Sequence, residues 1–436
     1  MSGEKCFEVL NKIFIPKKQE RVEDIKGYTI KYGHIIENGE IVDEVLVSYF
    51  KAPKSYTTEN MCEINTHGGN VIIRKILDLC LKNGADLAEP GEFTKRAFLN
   101  GRIDLLQAES VIDVINAKSE KEVKTGIKQL EGVLSKKIKE IKQEILDVMV
   151  NVDVSIDYPE YDVEDVTNIQ ILNMLDSVQL KLERLEKSFD NGKLIKEGIK
   201  TAIIGKPNAG KSSLLNAILK EDRAIVTEYE GTTRDTIEEY VNIEGIPLKL
   251  IDTAGIRDAK DEVEKIGIKK SKEIANDADL VIAIFDSSKE LSEEDIKILD
   301  IIRNKKSIIL LNKADLNSVL SENDDIFKEI SENVIKISAL NGDGLEKLYA
   351  LISKMFSLEE INVDNDVIIT NLRHKNLVSK AIQNVKKARD TVQQNMPIDI
   401  IAIFVKEILE DLGNITGEIV TDDIINEIFS KFCLGK

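Results

Sequence analysis

Gly205-Lys206-Pro207-Asn208-Ala209-Gly210-Lys211-Ser212 has the residue types and spacing of a loop that wraps a phosphate. The glycines let the backbone curl so that successive N–H groups face inward. Lys211 supplies a cation for the outer phosphates, and Ser212 supplies a hydroxyl for Mg²⁺. Asp252-Thr253-Ala254-Gly255 adds a carboxylate beside the metal and a Gly255 N–H that can sense a γ-phosphate. Asn312-Lys313-Ala314-Asp315 adds a base reader, because the Asp315 carboxylate can accept from N1–H and the exocyclic amine of guanine. Adenine offers no donors there, and an unpaired buried carboxylate is costly. Ser338-Ala339-Leu340 adds backbone N–H groups for the guanine O6. In this order the four segments specify a GTP site whose candidate contacts are Asn208, Ala209, Gly210, Lys211, Ser212, Ser213, Thr227, Thr232, Thr233, Asp252, Gly255, Asn312, Lys313, Asp315, Ser338 and Ala339.

Each segment follows an apolar run that reads as a strand: Thr201–Ile204, Pro247–Ile251, Ser307–Leu311 and Val334–Ile337. Around this unit the pattern changes. Tyr28–Ile36 and Ile41–Phe50 alternate like strands and are joined by Glu37-Asn38-Gly39-Glu40, a hairpin signal. Met61–Ile64 leads through Thr66-His67-Gly68-Gly69 into a helical pattern over Val71–Leu81. Ile127, Leu130, Leu134, Ile138, Ile141, Ile145 and Val148 recur at helical spacing, as do Ile171, Leu175, Val178, Leu182, Leu185 and Phe189. Helical spacing returns at Leu377, Ala381, Val385 and Ala388, then at Ile401, Val405, Ile408 and Leu412. The fold class expected is multi-domain α/β plus α. Its parts are an N-terminal α/β domain over 1–100, a helical domain over 101–197 and 359–436, and an inserted P-loop domain over 198–358 with a Ras-like doubly wound sheet.

The chain has 436 residues and a formal net charge of −18, which disfavours nonspecific nucleic-acid binding. No apolar run is long enough to span a membrane, and no basic-then-apolar leader opens the chain. Cys6, Cys62, Cys80 and Cys433 are far apart and lack metal-ligand spacing, which suggests a reducing compartment.

Departures from a small signalling GTPase concern the attacking water. A Gln usually follows the Asp-x-x-Gly, but Ile256 stands here and cannot orient water. Glu264 is a candidate replacement; the competing reading is a solvated carboxylate on a helix face. Asn208, with carbonyls of Thr227–Asp235, could hold a monovalent cation such as K⁺ beside the phosphates, and Thr233 is the second Mg²⁺ hydroxyl. The alternative is that Asn208 only braces the loop while Arg234 or Arg257 supplies the positive charge.

Pro207-Asn208 in the phosphate loop and Gly231-Thr232-Thr233-Arg234-Asp235 resemble the MnmE (TrmE) family of tRNA-modifying GTPases. So do Gly91–Arg102 and the terminal Phe432-Cys433-Leu434-Gly435-Lys436, and the resemblance covers essentially the whole chain. It implies an N-terminal folate-binding and dimerisation domain, a helical domain and an inserted GTPase. It also implies a cytoplasmic homodimer that forms a heterotetramer with the FAD- and NADH-using partner MnmG and acts on tRNA, with no membrane association. The reaction implied is C5 modification of a wobble uridine, with GTP as substrate, Mg²⁺ and K⁺ as cofactors, and 5,10-methylene- or 5-formyl-tetrahydrofolate as the one-carbon source. The resemblance places K⁺ ligands on Asn208, Thr227, Tyr229 and Thr232, the catalytic carboxylate on Glu264, and folate contacts on Glu63, Arg102 and Lys436. Cys433 is a candidate thiol carrier; its competing reading is packing beside Phe429 and Phe432. The family usually has a glycine-rich stretch and an Arg ahead of the Ser-Gly found here as Ser2-Gly3. A misassigned start or a truncated product is therefore expected, with the GTPase elements intact either way. A ribosome-assembly GTPase would require a basic RNA-binding region that this acidic chain lacks. A folate-dependent one-carbon transferase would place the chemistry on this chain rather than on its partner.

Overall fold

A computed structural model describes residues 1–18, 26–157, 164–220, 224–226, 239–243, 245–251, 272–358, 361, 366–433 and 435. They fall into two compact units. One comprises Met1–Ile112, Gln129–Asp153 and Ala402–Lys436; the other comprises Asp113–Lys128 and Val154–Ile401.

The first unit holds an antiparallel sheet of β1 (Phe14–Pro16), β2 (Thr29–Glu37), β3 (Glu40–Phe50) and β4 (Met61–Asn65), paired in that order. The Asn38-Gly39 signal is realised: φ is 50° and 85° at the two residues, the left-handed pair that a tight hairpin needs. Period-two alternation puts Val45, Val47 and Tyr49 into the core with Ile35 and Cys62. The helices Cys6–Ile13 and Asn70–Lys82 cover that face with Leu10, Ile13, Ile76 and Leu79. Burying each such side chain stabilises the fold by roughly 1.5–3 kcal/mol. Helix Val133–Asp157 also begins in this unit; the periodic pattern running in from Ile127 breaks at Gly132, where φ is 84° and the preceding helix stops at Leu130.

The second unit is built on a seven-stranded sheet. Its strands are β5 (Ile199–Ile204), β6 (Ala224–Val226), β7 (Glu239–Ile243), β8 (Ile246–Ile251), β9 (Leu280–Asp286), β10 (Ser307–Asn312) and β11 (Val334–Lys336). Their spatial order is β11-β10-β9-β5-β8-β7-β6. β5 pairs in parallel with both β8 and β9, and β10 pairs in parallel with β9 and β11. Every residue of β9 and β10 is buried, as strands covered on both faces require. The order reverses direction around β5, so a crevice opens at the carboxyl end of the central strands. Long helices Glu164–Glu197 and Leu372–Gln393 pack together in this unit through Arg389–Asp176 at 2.6 Å and Lys386–Glu183 at 3.9 Å. In the same unit Glu122 is buried and accepts the Lys118 N–H at 2.6 Å. Among the described residues no helix is long and apolar enough to cross a membrane.

Candidate functional site

β5 delivers the chain to the carboxyl edge of the sheet, and the helix Lys211–Lys220 takes it away. The intervening loop is tight. A Cβ on Gly205 would lie 2.6 Å from the Ile284 carbonyl oxygen, and one on Gly210 (φ 108°) would lie 2.0 Å from Asn312 Nδ2. Neither position tolerates another residue. Asn208 is also left-handed, at φ 63°, and exposed. Lys211 Nζ donates to the carbonyls of Gly205 (2.7 Å) and Lys206 (2.8 Å). Burial pushes this ammonium below the ordinary lysine value. A phosphate over the loop would meet the helix N-terminus and an ammonium whose partners among the described residues are two neutral carbonyls.

Asn312 joins the loops. At the end of β10 and 2% exposed, it donates from Nδ2 to the Ala209 carbonyl at 2.8 Å and accepts the Ala339 N–H on Oδ1 at 2.9 Å. One side chain therefore fixes the phosphate loop to the segment after β11. Asp315 is exposed, and its Oδ1 accepts the Ser338 hydroxyl at 2.6 Å. That bond orients the carboxylate. The Ser338 N–H donates to the Asp343 carbonyl at 3.0 Å, and Ala314 N–H donates to Ile337 O at 3.0 Å. The edge thus offers an anion cradle at β5 and a fixed carboxylate at β10–β11, suited to a base with two adjacent N–H donors.

Two ion pairs behind this edge were not foreseen from sequence. Lys313, itself left-handed at φ 65°, turns its Nζ to Asp286 Oδ2 at 2.6 Å. Burial pushes the Asp286 carboxyl upward, but Lys313 and two hydrogen bonds from Ser288 outweigh it and hold the group below the usual carboxylate range. Lys206 Nζ lies 2.6 Å from Asp295 Oδ2, and Asp295 forms a reciprocal cap with Ser292 at the start of helix Glu293–Ile302. The Ser292-x-x-Asp295 spacing was a visible capping signal; its link to the phosphate loop was not.

The remaining candidates are distributed as follows. Thr227, Tyr229, Thr232, Thr233, Asp252, Gly255, Glu264 and Lys436 lie outside the described residues, as do Arg234, Ile256 and Arg257. Ser212 and Ser213 are exposed at the start of their helix. In the first unit Glu63 is exposed on β4 opposite Ser48, and the Arg102 guanidinium stacks 4.4 Å from the Tyr56 ring. Cys433 is exposed, while Phe429 and Phe432 are buried; the packing reading for Cys433 does not hold. The Cys433 carbonyl accepts the Gly91 N–H at 3.3 Å, which ties the chain's end to the Gly91–Arg102 segment. Among the described residues no hydrogen bond or ion pair joins Glu63, Arg102 and Cys433. His67 is held by Asp43, with Nδ1 2.7 Å from Oδ1 and its own N–H 3.0 Å from Oδ2.

Two family models match the chain: GTP-binding protein TrmE N-terminus over residues 1–102, and MnmE helical domain over residues 105–433. A tRNA modification GTPase MnmE of Finegoldia magna is 50% identical over 436 residues, covering 100% of this chain and 95% of the relative. Proteins of the same name from Clostridioides difficile and Acetivibrio thermocellus are 48% and 47% identical over 437 and 440 residues, again covering 100% of this chain and 95% of each relative. Among solved structures, the G domain of the T. maritima FeoB iron transporter is 26% identical with a TM-score of 0.28, covering 36% of this chain and 98% of that one. The strand order around β5, not this match, carries the fold.

Proposed function

The chain belongs to the family of MnmE tRNA modification GTPases, and from that premise we propose that its GTP hydrolysis runs at the β5–β10–β11 edge and drives wobble-uridine modification of tRNA. The observation that carries the proposal is the double hydrogen bond of Asn312, which holds the phosphate loop and the Ser338-Ala339 segment in one frame. Within that frame Asp315 reads guanine N1–H and the exocyclic amine, while the Ser338 and Ala339 N–H groups expected to meet O6 are engaged by the Asp343 carbonyl and Asn312 Oδ1. Lys211 exchanges its two loop carbonyls for the outer phosphates, a step that returns it to a partner of full opposite charge. Asn208, Ala209, Gly210 and Ser213 complete the cradle, with Asn312 and Lys313 behind it.

The finer assignments follow the family. Ser212 and Thr233 hold Mg²⁺ with Asp252 beside it, Gly255 senses the γ-phosphate, and Glu264 orients the water. Asn208, Thr227, Tyr229 and Thr232 hold K⁺, which supplies positive charge where charge develops on the phosphates. The exposed, left-handed Asn208 at the tip of the loop fits a side-chain oxygen donor of this kind. Glu63, Arg102 and Lys436 contact a reduced folate, 5,10-methylene- or 5-formyl-tetrahydrofolate, and the exposed Cys433 remains a candidate thiol carrier. We read domains at 1–100, 101–197 with 359–436, and 198–358, in a cytoplasmic homodimer that works with the flavoprotein MnmG.

GTP turnover by the full chain in KCl against NaCl at equal ionic strength tests this reading, with Asn208→Ala and Asn312→Ala alongside. Stimulation by K⁺, lost in Asn208→Ala, is expected, together with loss of turnover in both salts for Asn312→Ala. Equal rates in both salts would remove the K⁺ assignment, and undiminished turnover by Asn312→Ala would remove the shared frame.

A further inference from the structure

Cys6 and Cys62 are far apart in the sequence, yet the fold of the first unit sets their sulfurs 3.6 Å apart. Cys6 opens the helix Cys6–Ile13 and Cys62 sits in β4; they are 5% and 0% exposed. Cys6 also lines a cavity with Val9, Ala85, Glu92, Phe93 and Arg96, which Cys62 does not. Across the β3–β4 register Cys62 faces Tyr49, whose fully buried hydroxyl has no hydrogen-bond partner among the described residues. A buried phenol without an acceptor costs stability.

We propose that Cys6 and Cys62 form a modification site, a dithiol that a small disulfide converts to a cystine tying the first turn of helix Cys6–Ile13 to β4. In the first step the Cys6 thiolate attacks one sulfur of the small disulfide RSSR, forming a Cys6–S–S–R bond and releasing RS⁻. In the second the Cys62 thiolate attacks the Cys6 sulfur, the mixed S–S bond breaks, and a second RS⁻ leaves. The two cysteine protons end on two RSH; the cysteines give up two electrons and RSSR takes them. The sulfurs close from 3.6 Å to a bond of about 2.05 Å, a movement within reach of side-chain rotation at a helix start.

The division of labour follows the surroundings. The hydrogen bond shared with Cys62 lowers the Cys6 pKa, which favours it as the attacking thiolate, while the same bond and burial push Cys62 well up. Cys62 reacts once the mixed disulfide has removed its thiol partner. The cystine links two segments flanking β1 to β3, so it constrains the unfolded chain and raises stability. It also fixes β4 at the residue before Glu63.

The test uses the folded full-length chain, cystamine as the small disulfide, and alkylation followed by peptide mapping. Peptide mapping should recover one Cys6–Cys62 peptide with no cystamine retained on Cys6 or Cys62, while the exposed Cys433 carries its own adduct and is counted apart. The unfolding temperature should rise and return after dithiothreitol. Cys62→Ser should stall at a cystamine adduct on Cys6. Recovery of Cys6 and Cys62 as free thiols, a Cys6–Cys80 bond, or a wild-type adduct on Cys6 that never resolves would each overturn the proposal. Mapping of the wild-type chain decides the matter even where the serine variant fails to fold.

Discussion

In the seven-stranded sheet, Asp286, Asn312 and Ala339 lie at the carboxyl ends of strands or within three residues of one, and Lys211 opens the helix that follows β5. In the four-stranded sheet, the side chains that meet come from distant segments: Asp43 with His67, Cys6 with Cys62. The first arrangement needs backbone N–H groups and short loops, and those require glycines and small polar residues at fixed spacing. The second needs only that two suitable side chains end up adjacent, which many sequences satisfy. Local backbone chemistry therefore leaves a pattern in the sequence, while long-range pairing of side chains leaves almost none.

The largest stability effect expected is at the pair joining the phosphate loop to its neighbouring helix. Lys206→Met leaves the Asp295 carboxylate, 2% exposed, without its cation; urea unfolding should show a loss of about 3 kcal/mol. The double variant Lys206→Met/Asp295→Leu should recover much of that loss. An additive double variant would mean that the two residues do not act as a pair.

Glu122 sharpens the comparison through pH. Burial raises its carboxyl to about 7, with Asp113 adding to the rise and Lys118 opposing it. The folded chain thus holds a proton that the unfolded chain releases near the ordinary glutamate value. Stability should fall as pH rises through the window from about 4.3 to 7. Glu122→Gln should remove that slope and be the more stable form at pH 8 by about 3 kcal/mol. A slope unchanged in the variant would place the titration elsewhere.

The smallest effect is expected at Asp43. Burial pushes its carboxyl up, yet hydrogen bonds from the His67 backbone and ring and from Glu44 N–H bring it below the usual range. Asp43→Asn should cost about 1 kcal/mol and free the His67 ring, visible as a change in its ring chemical shifts at fixed pH. Unchanged His67 ring shifts would show that the contact does not hold the ring in solution.

Much of the fold was legible. The strand runs at 201–204, 247–251, 307–311 and 334–337 fall within β5, β8, β10 and β11 apart from Ile337, and Asn38-Gly39 turns the hairpin. Ile138, Ile141, Ile145 and Val148 are all buried, as are Ile171, Leu175, Val178 and Leu182. Periodicity did not reveal the stop at Gly132, because apolar spacing continues across a break that only the left-handed backbone enforces. Nor did it show that Asn312 serves two loops, since its partners Ala209 and Ala339 contribute backbone atoms that carry no sequence identity. The scattered cysteines argued for a reducing compartment, but their spacing gave no sign that two of them touch.

Guanine selection by Asp315 within the Asn312 frame is the claim on which the rest depends. The direct measurement is turnover of GTP and xanthosine triphosphate by wild type and Asp315→Asn. Xanthine presents a carbonyl where guanine presents its amine, so the asparagine amide can donate where the aspartate accepted. The account predicts a loss of about 10³-fold or more in kcat/KM for GTP, with turnover restored on xanthosine triphosphate. GTP turnover unchanged by the substitution would contradict it.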